Sequence, residues 1–277
     1  MRRIIYCALV LVIIFAACAS AATIATLSMA NSDSLDTPES ADSSYVENYK
    51  KMIAGLVIDK DFDNSAINMK YYDSLMQMQM ALSNREIDAI ATPECVGEYM
   101  ILSNSNYTLR GLILGRFSMA LAFGFLEENK VLRDRFSRVV EDMEREGTIG
   151  LLEKQFIGGL AAVSPPAVDF EKFDGAQTIN VALTGDQPPL DYVAPDGRPA
   201  GFSTAMLAEI GKRLRVNINP VIVETGARTM ALKSGRADVV FWFHIFTGYD
   251  KQPDITDGII TSTPYYSWNK SWLIGRK

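Results

Sequence analysis

Apolar positions recur at two periods along this chain, and the alternation between them predicts an α/β protein. In the first half, Lys51 to Asp59 reads as a strand, Ser74 to Leu82 as a helix, Ile87 to Ala91 as a strand and Glu94 to Leu102 as a helix. Phe117 to Phe125 is a nearly unbroken apolar run suited to a buried strand. Asn129 to Glu146 then shows helical spacing, with Leu132, Phe136, Val139, Val140 and Met143 facing inward, and Gly147 is placed to end it. A last helix runs from Ile149 to Phe156. In the second half, Ile179 to Leu183 reads as a strand. Pro195-Asp196-Gly197 turns a hairpin between Leu190–Val193 and Pro199–Phe202. Thr204 to Arg215 is amphipathic through Met206, Leu207, Ile210 and Leu214, with cations near its end where they suit the helix dipole. A strand at Val221–Val223, a helix at Arg228–Ser234 and a strand after Asp238 complete the pattern.

The two halves echo each other. Met80-Ala81-Leu82 followed by Asp88 and Ile90 recurs as Met230-Ala231-Leu232 followed by Asp238 and Val240, each time as helix, polar turn and buried strand. The offset is too long for a solenoid repeat and implies two related lobes. Between them, Ala161 to Gly175 is punctuated by Pro165-Pro166. The organisation expected is a leader over 1–22, a polar flexible tether over 23–44, a lobe with closing helices over 45–160, a linker over 161–177 and a second lobe over 178–277.

The amino terminus sets the compartment. Arg2 and Arg3 precede an apolar run from Ile4 to Ala17 and then small residues, the layout of a secretory signal. Two exits are readable: Ala19-Ser20-Ala21 as a cleavage site, or a lipobox-like Phe15-Ala16-Ala17-Cys18 with Cys18 lipidated, which would anchor the protein to a membrane. An uncleaved anchor helix also satisfies the length. The expected location is extracytoplasmic, in the periplasm or on the outer face of the cell membrane.

The 277 residues carry a net charge of −6, and loss of Arg2 and Arg3 would take this to −8. That lacks the basic footprint that phosphate backbones select, so nucleic acid is not expected as a partner. One histidine and three cysteines leave no framework for a His-rich metal site or an internal disulfide. The Met76-Met78-Met80 alternation reads as core filling. Phosphate-binding loops, nucleophile elbows and zinc signatures are absent from the sequence, and no cofactor is expected.

Gly185-Asp186-Gln187-Pro188-Pro189-Leu190, Asp196-Gly197 with Gly201-Phe202, Leu232 to Asp238, Thr247 and Ser262-Thr263-Pro264-Tyr265-Tyr266 together resemble the opening lobe of the family 3 extracellular solute-binding proteins that serve ABC importers. The first half resembles that family's other lobe and closing helices, more loosely, through Ala81-Leu82, Ile87 to Ile90, Tyr99 and Asn129 to Phe156. The resemblance implies a two-lobed, type II periplasmic-binding-protein fold, each lobe a mostly parallel sheet flanked by helices, with the lobes in circularly permuted order. The alternative is two half-proteins that complete each other by exchange with a partner copy, as a domain-swapped homodimer.

The same resemblance implies a small-molecule ligand held between the lobes and passed to the importer's membrane subunits. On the second lobe the positions implied are Asp186, Leu190, Tyr192, Trp242, Phe243, Thr247 and Asp250; on the first, Thr92 and Glu94. Asp250 stands where the family carries an arginine that clamps a carboxylate, and a carboxylate cannot replace a guanidinium fork. The ligand expected is therefore amino acid-like but cationic or aromatic, facing the run Phe241 to Phe246, with Asp250 or Glu94 as countercharge. That run reads equally as a buried strand packing its own lobe. Two other functions stay open: a degenerate sensor or interaction module, and an enzyme resembling cyclohexadienyl dehydratases, for which His244 with Glu94 or Asp250 is the acid–base pair on offer. Binding without catalysis is the expectation.

Overall fold

The computed structural model describes residues 22–27, 67–158, 167–247, 252 and 254–277. The expected strand over 51–59, the leader with Cys18, and Asp250 lie outside them. In chain order the elements begin β1 (Ala22–Leu27), β2 (Ile67–Tyr72), α1 (Leu75–Ser83), β3 (Ala89–Pro93), α2 (Glu94–Ser103) and β4 (Tyr107–Leu126). Then come α3 (Lys130–Arg145), α4 (Thr148–Phe156), β5 (Thr178–Leu183), β6 (Asp186–Gln187), β7 (Asp191–Val193) and β8 (Pro199–Ala200). The chain continues through α5 (Phe202–Leu214), β9 (Asn217–Ile222), α6 (Arg228–Lys233), β10 (Val239–Phe246), β11 (Ile259–Thr261) and β12 (Tyr266–Arg276).

The largest sheet runs β2-β1-β3-β12-β4-β10-β5-β9, with β11 on β4. Its two ends are built alike. At one end β1 lies parallel between β2 and β3; at the other β5 lies parallel between β9 and β10. The echoing motif acts identically in both. The Asp88 carboxylate accepts the Thr23 N–H at 2.8 Å while the Asp88 N–H donates to the Thr23 carbonyl at 2.8 Å. Asp238 does the same to Asn180, at the same two distances. Each aspartate thus locks the entry of its lobe's central strand beside the strand that follows it. The repeat read from the sequence is a repeated β-α-β unit.

Ala22–Leu27 corrects the expected tether. Ile24 and Ala25 are fully buried between two parallel neighbours, so the tether cannot begin before residue 28. Polar and small neighbours on both sides hide a strand this short from pattern reading. β2 was likewise missed.

Two long antiparallel strands join the lobes. β4 pairs with β12 from Tyr107–Arg276 to Leu121–Tyr266, with a register shift between Trp268 and Lys270. Below that shift β12 also pairs with β3; above it β4 pairs with β10 and β11. Helices α3 and α4 pack on α5 and thus belong with the second lobe, which corrects the boundary expected at residue 160. The inward residues of α3 are as the 3.6 spacing predicts: Phe136, Val139, Val140 and Met143 are buried, and Phe136 meets Phe123 and Phe125 edge-on at 5.4 and 5.3 Å. Gly147, at φ 75°, provides the left-handed turn between the two helices.

Candidate functional site

Between the lobes, in front of β4 and β12, lies a cavity of about 60 Å³. The first lobe contributes Thr26, Leu27, Leu75, Met78 and Thr92; the second contributes Gln187, Leu190, Asp191, Phe241, Trp242 and His244. Trp268 and Ser271 of β12 close the back, where the Trp268 indole N–H donates to the Ser271 hydroxyl at 3.2 Å. Small-molecule sites usually enclose about 300–1,000 Å³, so the lobes stand close together across this cleft.

A bulge builds the aromatic wall. In the β10–β4 pairing, Val240 faces Gly124 and Phe243 faces Ala122, so β10 carries one extra residue between them. Strict alternation fails there, and Phe241 and Trp242 both line the cavity. Two backbone carbonyls in the bulge find side-chain donors. The buried Tyr265 hydroxyl donates to the Phe241 carbonyl at 2.9 Å, and Arg228 donates to the Trp242 carbonyl at 2.8 Å.

Arg228 is the pivot of this wall. Buried to 1% exposure, it bonds the carboxylate of the fully buried Asp254 at 3.0 Å and the Thr225 carbonyl at 2.7 Å, and its guanidinium lies 3.9 Å over the Trp242 ring. Asp254 in turn accepts the His244 backbone N–H at 2.8 Å. The His244 Nδ1 lies 3.3 Å from the same carboxylate oxygen. Burial works to raise the Asp254 carboxyl, but Arg228 and His244 outweigh it and hold it below the ordinary carboxylate range. Gln252 completes the edge, accepting from Phe246 N at 2.7 Å and donating to Phe246 O at 3.1 Å. The pair Arg228–Asp254 therefore satisfies the backbone that the bulge leaves open and fixes the Trp242 ring against the cleft.

Of the positions named from the sequence, Leu190, Trp242 and Thr92 line the cavity. The other predicted positions among the described residues sit elsewhere. Phe243 turns to the opposite face because of the bulge, its ring lying over Gly124, where a Cβ would come within 2.2 Å. Glu94 is ion-paired with Lys270 at 2.7 Å outside the cavity, and Thr247 is exposed past the end of β10. Tyr192 meets Tyr99 of the first lobe at 6.4 Å. Asp186 accepts the Leu75 N–H at 2.7 Å, so a carboxylate of the second lobe caps the first turn of α1 in the other.

Asp191, passed over between Leu190 and Tyr192, is the acid of the cavity. One carboxylate oxygen accepts from Thr184 N, the Thr184 hydroxyl and Gly185 N at 3.0, 2.5 and 3.0 Å. Burial, with Asp186 adding, pushes this carboxyl up to about 6 against those hydrogen bonds. Between its ordinary value of about 3.8 and this raised one, the folded chain keeps a proton that the unfolded chain releases. Stability from this group is thus fully present below about pH 3.8 and is lost as pH rises through about 6. Between pH 7.5 and 4 the native protein should gain about 3 kcal/mol relative to Asp191→Asn, read from urea midpoints. Parallel curves for the two proteins would contradict it.

Elsewhere, the Cys95 thiol, bonded to the Tyr266 hydroxyl at 3.3 Å, is pushed by burial up to about 12, so it is inert as a nucleophile near neutral pH. Among the described residues, no three His, Cys, Asp or Glu side chains group to hold a metal, and no helix is long and apolar enough to cross a membrane.

Residues 179–274, about a third of the chain, match the family described as bacterial extracellular solute-binding proteins, family 3. Matching begins at β5 and ends in β12, so it spans the whole aromatic wall. Among solved structures, a ligand-binding component of an ABC-type import system from Staphylococcus aureus, with zinc bound, aligns over 92% of this chain and 66% of its own, at 11% identity and TM-score 0.41. A periplasmic binding protein of an ABC transporter from Brucella ovis, with glutathione bound, aligns over 93% and 62%, at 10% identity and TM-score 0.43. A nutrient-binding protein from Burkholderia cenocepacia bound to methionine aligns over 92% and 84%, at 11% identity and TM-score 0.39. The chain thus spans just under two thirds of the length of the first two. No curated protein matches it.

Proposed function

We propose that this protein is an extracytoplasmic solute-binding protein that holds a small ligand between its lobes and presents it to the membrane subunits of an ABC importer. The observation that carries the reading is the position of the cavity: both lobes wall it, and two strands run behind it from one lobe into the other. Such strands let lobes close on a ligand as near-rigid bodies. The importer is what the resemblance of the second lobe implies, and the extracellular setting of the matched family agrees with the secretory leader read from Arg2 to Ala22. Cys18 would then hold the protein at the membrane by its lipid. The continuous sheet favours closure within one chain over exchange with a partner copy. The order of the lobes, with the matched segment last, we read as a circular permutation joined across residues 159–177.

The ligand class follows from the walls. No lysine or arginine lines the cavity among the described residues, while Asp191, His244 and four aromatic or amide side chains do. An amino acid-like, cationic or aromatic solute fits; a substrate that needs a carboxylate clamp does not, which also speaks against the dehydratase reading. A sensor that does not transport is the second reading, favoured by the small cavity and by the Asp186 cap that holds the lobes together without a ligand. A thermal-shift screen of amines, aromatic acids, amino acids and short peptides is the first half of the test. A solute present at about 100 times its dissociation constant adds about 2.7 kcal/mol. Its second half asks whether the solute that stabilises also moves the lobes.

A further inference from the structure

Gln187 and Asp191 stand directly opposite each other on the antiparallel pair β6–β7, so their side chains leave the same face about 5 Å apart at Cβ. Both line the cavity. Both are more than nine-tenths buried, with exposures of 7% and 1%. Each nevertheless has one polar atom with no partner among the described residues: the Gln187 Nε2 and the Asp191 Oδ1. Neighbours this close would bond each other if both were aimed sideways, and they do not. A buried donor and a buried acceptor left open on one wall carry a desolvation cost that a ligand can relieve.

We propose that Gln187 and Asp191 form a subsite for a small protonated amine that also bears a neutral oxygen acceptor, as in an amino alcohol or an amino amide. The ammonium donates to Asp191 Oδ1, and Gln187 Nε2 donates to the oxygen. Its companion oxygen on Asp191 stays bonded to Thr184 and Gly185, so the acid is rigid before the ligand arrives. Trp242 and Trp268, both on the cavity wall, give the ligand aromatic surface beside the acid. A carboxylate beside the amine is selected against, because the lining supplies a negative charge and, among the described residues, no lysine or arginine.

This inference rests on the solute-binding reading, and its test separates the two. Ethanolamine, glycinamide and glycine are titrated calorimetrically into the purified processed protein, into Asp191→Asn and into Gln187→Leu. In Asp191→Asn the amide oxygen can keep the Thr184 and Gly185 bonds while the amide nitrogen presents donors to the cavity. The expected result is binding of ethanolamine and glycinamide but not glycine, weakened at least tenfold by Asp191→Asn. Gln187→Leu should weaken both by several-fold and keeps the test open should Asp191→Asn fail to fold. Equal binding by native protein and variants overturns the subsite. So does absence of amine binding while another solute stabilises the protein, an outcome that leaves the solute-binding reading standing. Silence toward every solute in the screen overturns both.

Discussion

Replacing Arg228 by Met should lower the unfolding free energy by about 3–5 kcal/mol, the largest single loss expected from a side chain of this protein. The change strands the Asp254 carboxylate, 0% exposed, without the cation that keeps it ionised. It also takes the side-chain donor away from the Trp242 carbonyl, while the Thr225 carbonyl keeps the backbone N–H of residue 228, and it removes the cation from above the Trp242 ring. Arg228→Met combined with Asp254→Leu removes both charges together and should recover part of the loss, since a buried pair replaced by apolar groups is often tolerated. The double variant would still leave the bulge carbonyl of Trp242 and the His244 N–H unsatisfied. Solute binding should therefore remain weak even where stability returns. Urea unfolding followed by tryptophan fluorescence measures the first effect. A loss under 1 kcal/mol would mean that the buried pair does not hold the wall.

Gly201→Ala should cost about 3 kcal/mol or more and abolish solute binding with it. Gly201 lies at φ 104°, and a Cβ there would come 2.5 Å from the Leu190 carbonyl oxygen and 2.7 Å from that of Pro189. Both carbonyls are rigid backbone acceptors for the first turn of α5: Phe202 N donates to Pro189 at 2.9 Å and Ser203 N to Leu190 at 2.7 Å. A methyl group must therefore push apart the helix start and the turn that carries Gln187 and Asp191. Gly197→Ala is the matched control. It too has positive φ, 83°, but a Cβ there meets nothing within 4 Å, so only the strain of about 1 kcal/mol remains. Similar thermal stabilities for the two variants would show that the close approach at Gly201 is relieved cheaply.

The elements that could be read from the sequence are those with a period long enough to count. Helix α3 shows four turns of spacing, and its buried residues fall where predicted. The repeat anchored on Asp88 and Asp238 was legible because both copies keep the same helix, turn and strand, and the two aspartates do the same work. β1 was not legible: it has six residues, and its burial comes from β2 and β3, which lie far along the chain. The candidate site divides in the same way. Leu190, Trp242 and Thr92 came from positions that follow the resemblance. Phe243 failed because a bulge reverses the facing of a strand by one residue, and periodicity carries no signal for it. Asp191 and Gln187 flanked residues already chosen. Their importance lies in open hydrogen-bonding atoms, which only the packed structure reveals. Arg228 entered the sequence reading only as the first residue of a helix; its partner Asp254 is 26 residues away, beyond β10.

The central claim, that a solute closes the two lobes about β4 and β12, is tested most directly by the distance between them. Ser83 at the end of α1 and Ser234 just past α6 are exposed and stand at comparable places in the two lobes. Converted to cysteines and labelled with a donor and acceptor pair, they report lobe separation by energy transfer, while buried Cys95 stays unlabelled. Adding the solute that gives the largest thermal shift should raise transfer efficiency along the same saturation curve as the stabilisation. A solute that stabilises the protein with no change in transfer would contradict the account.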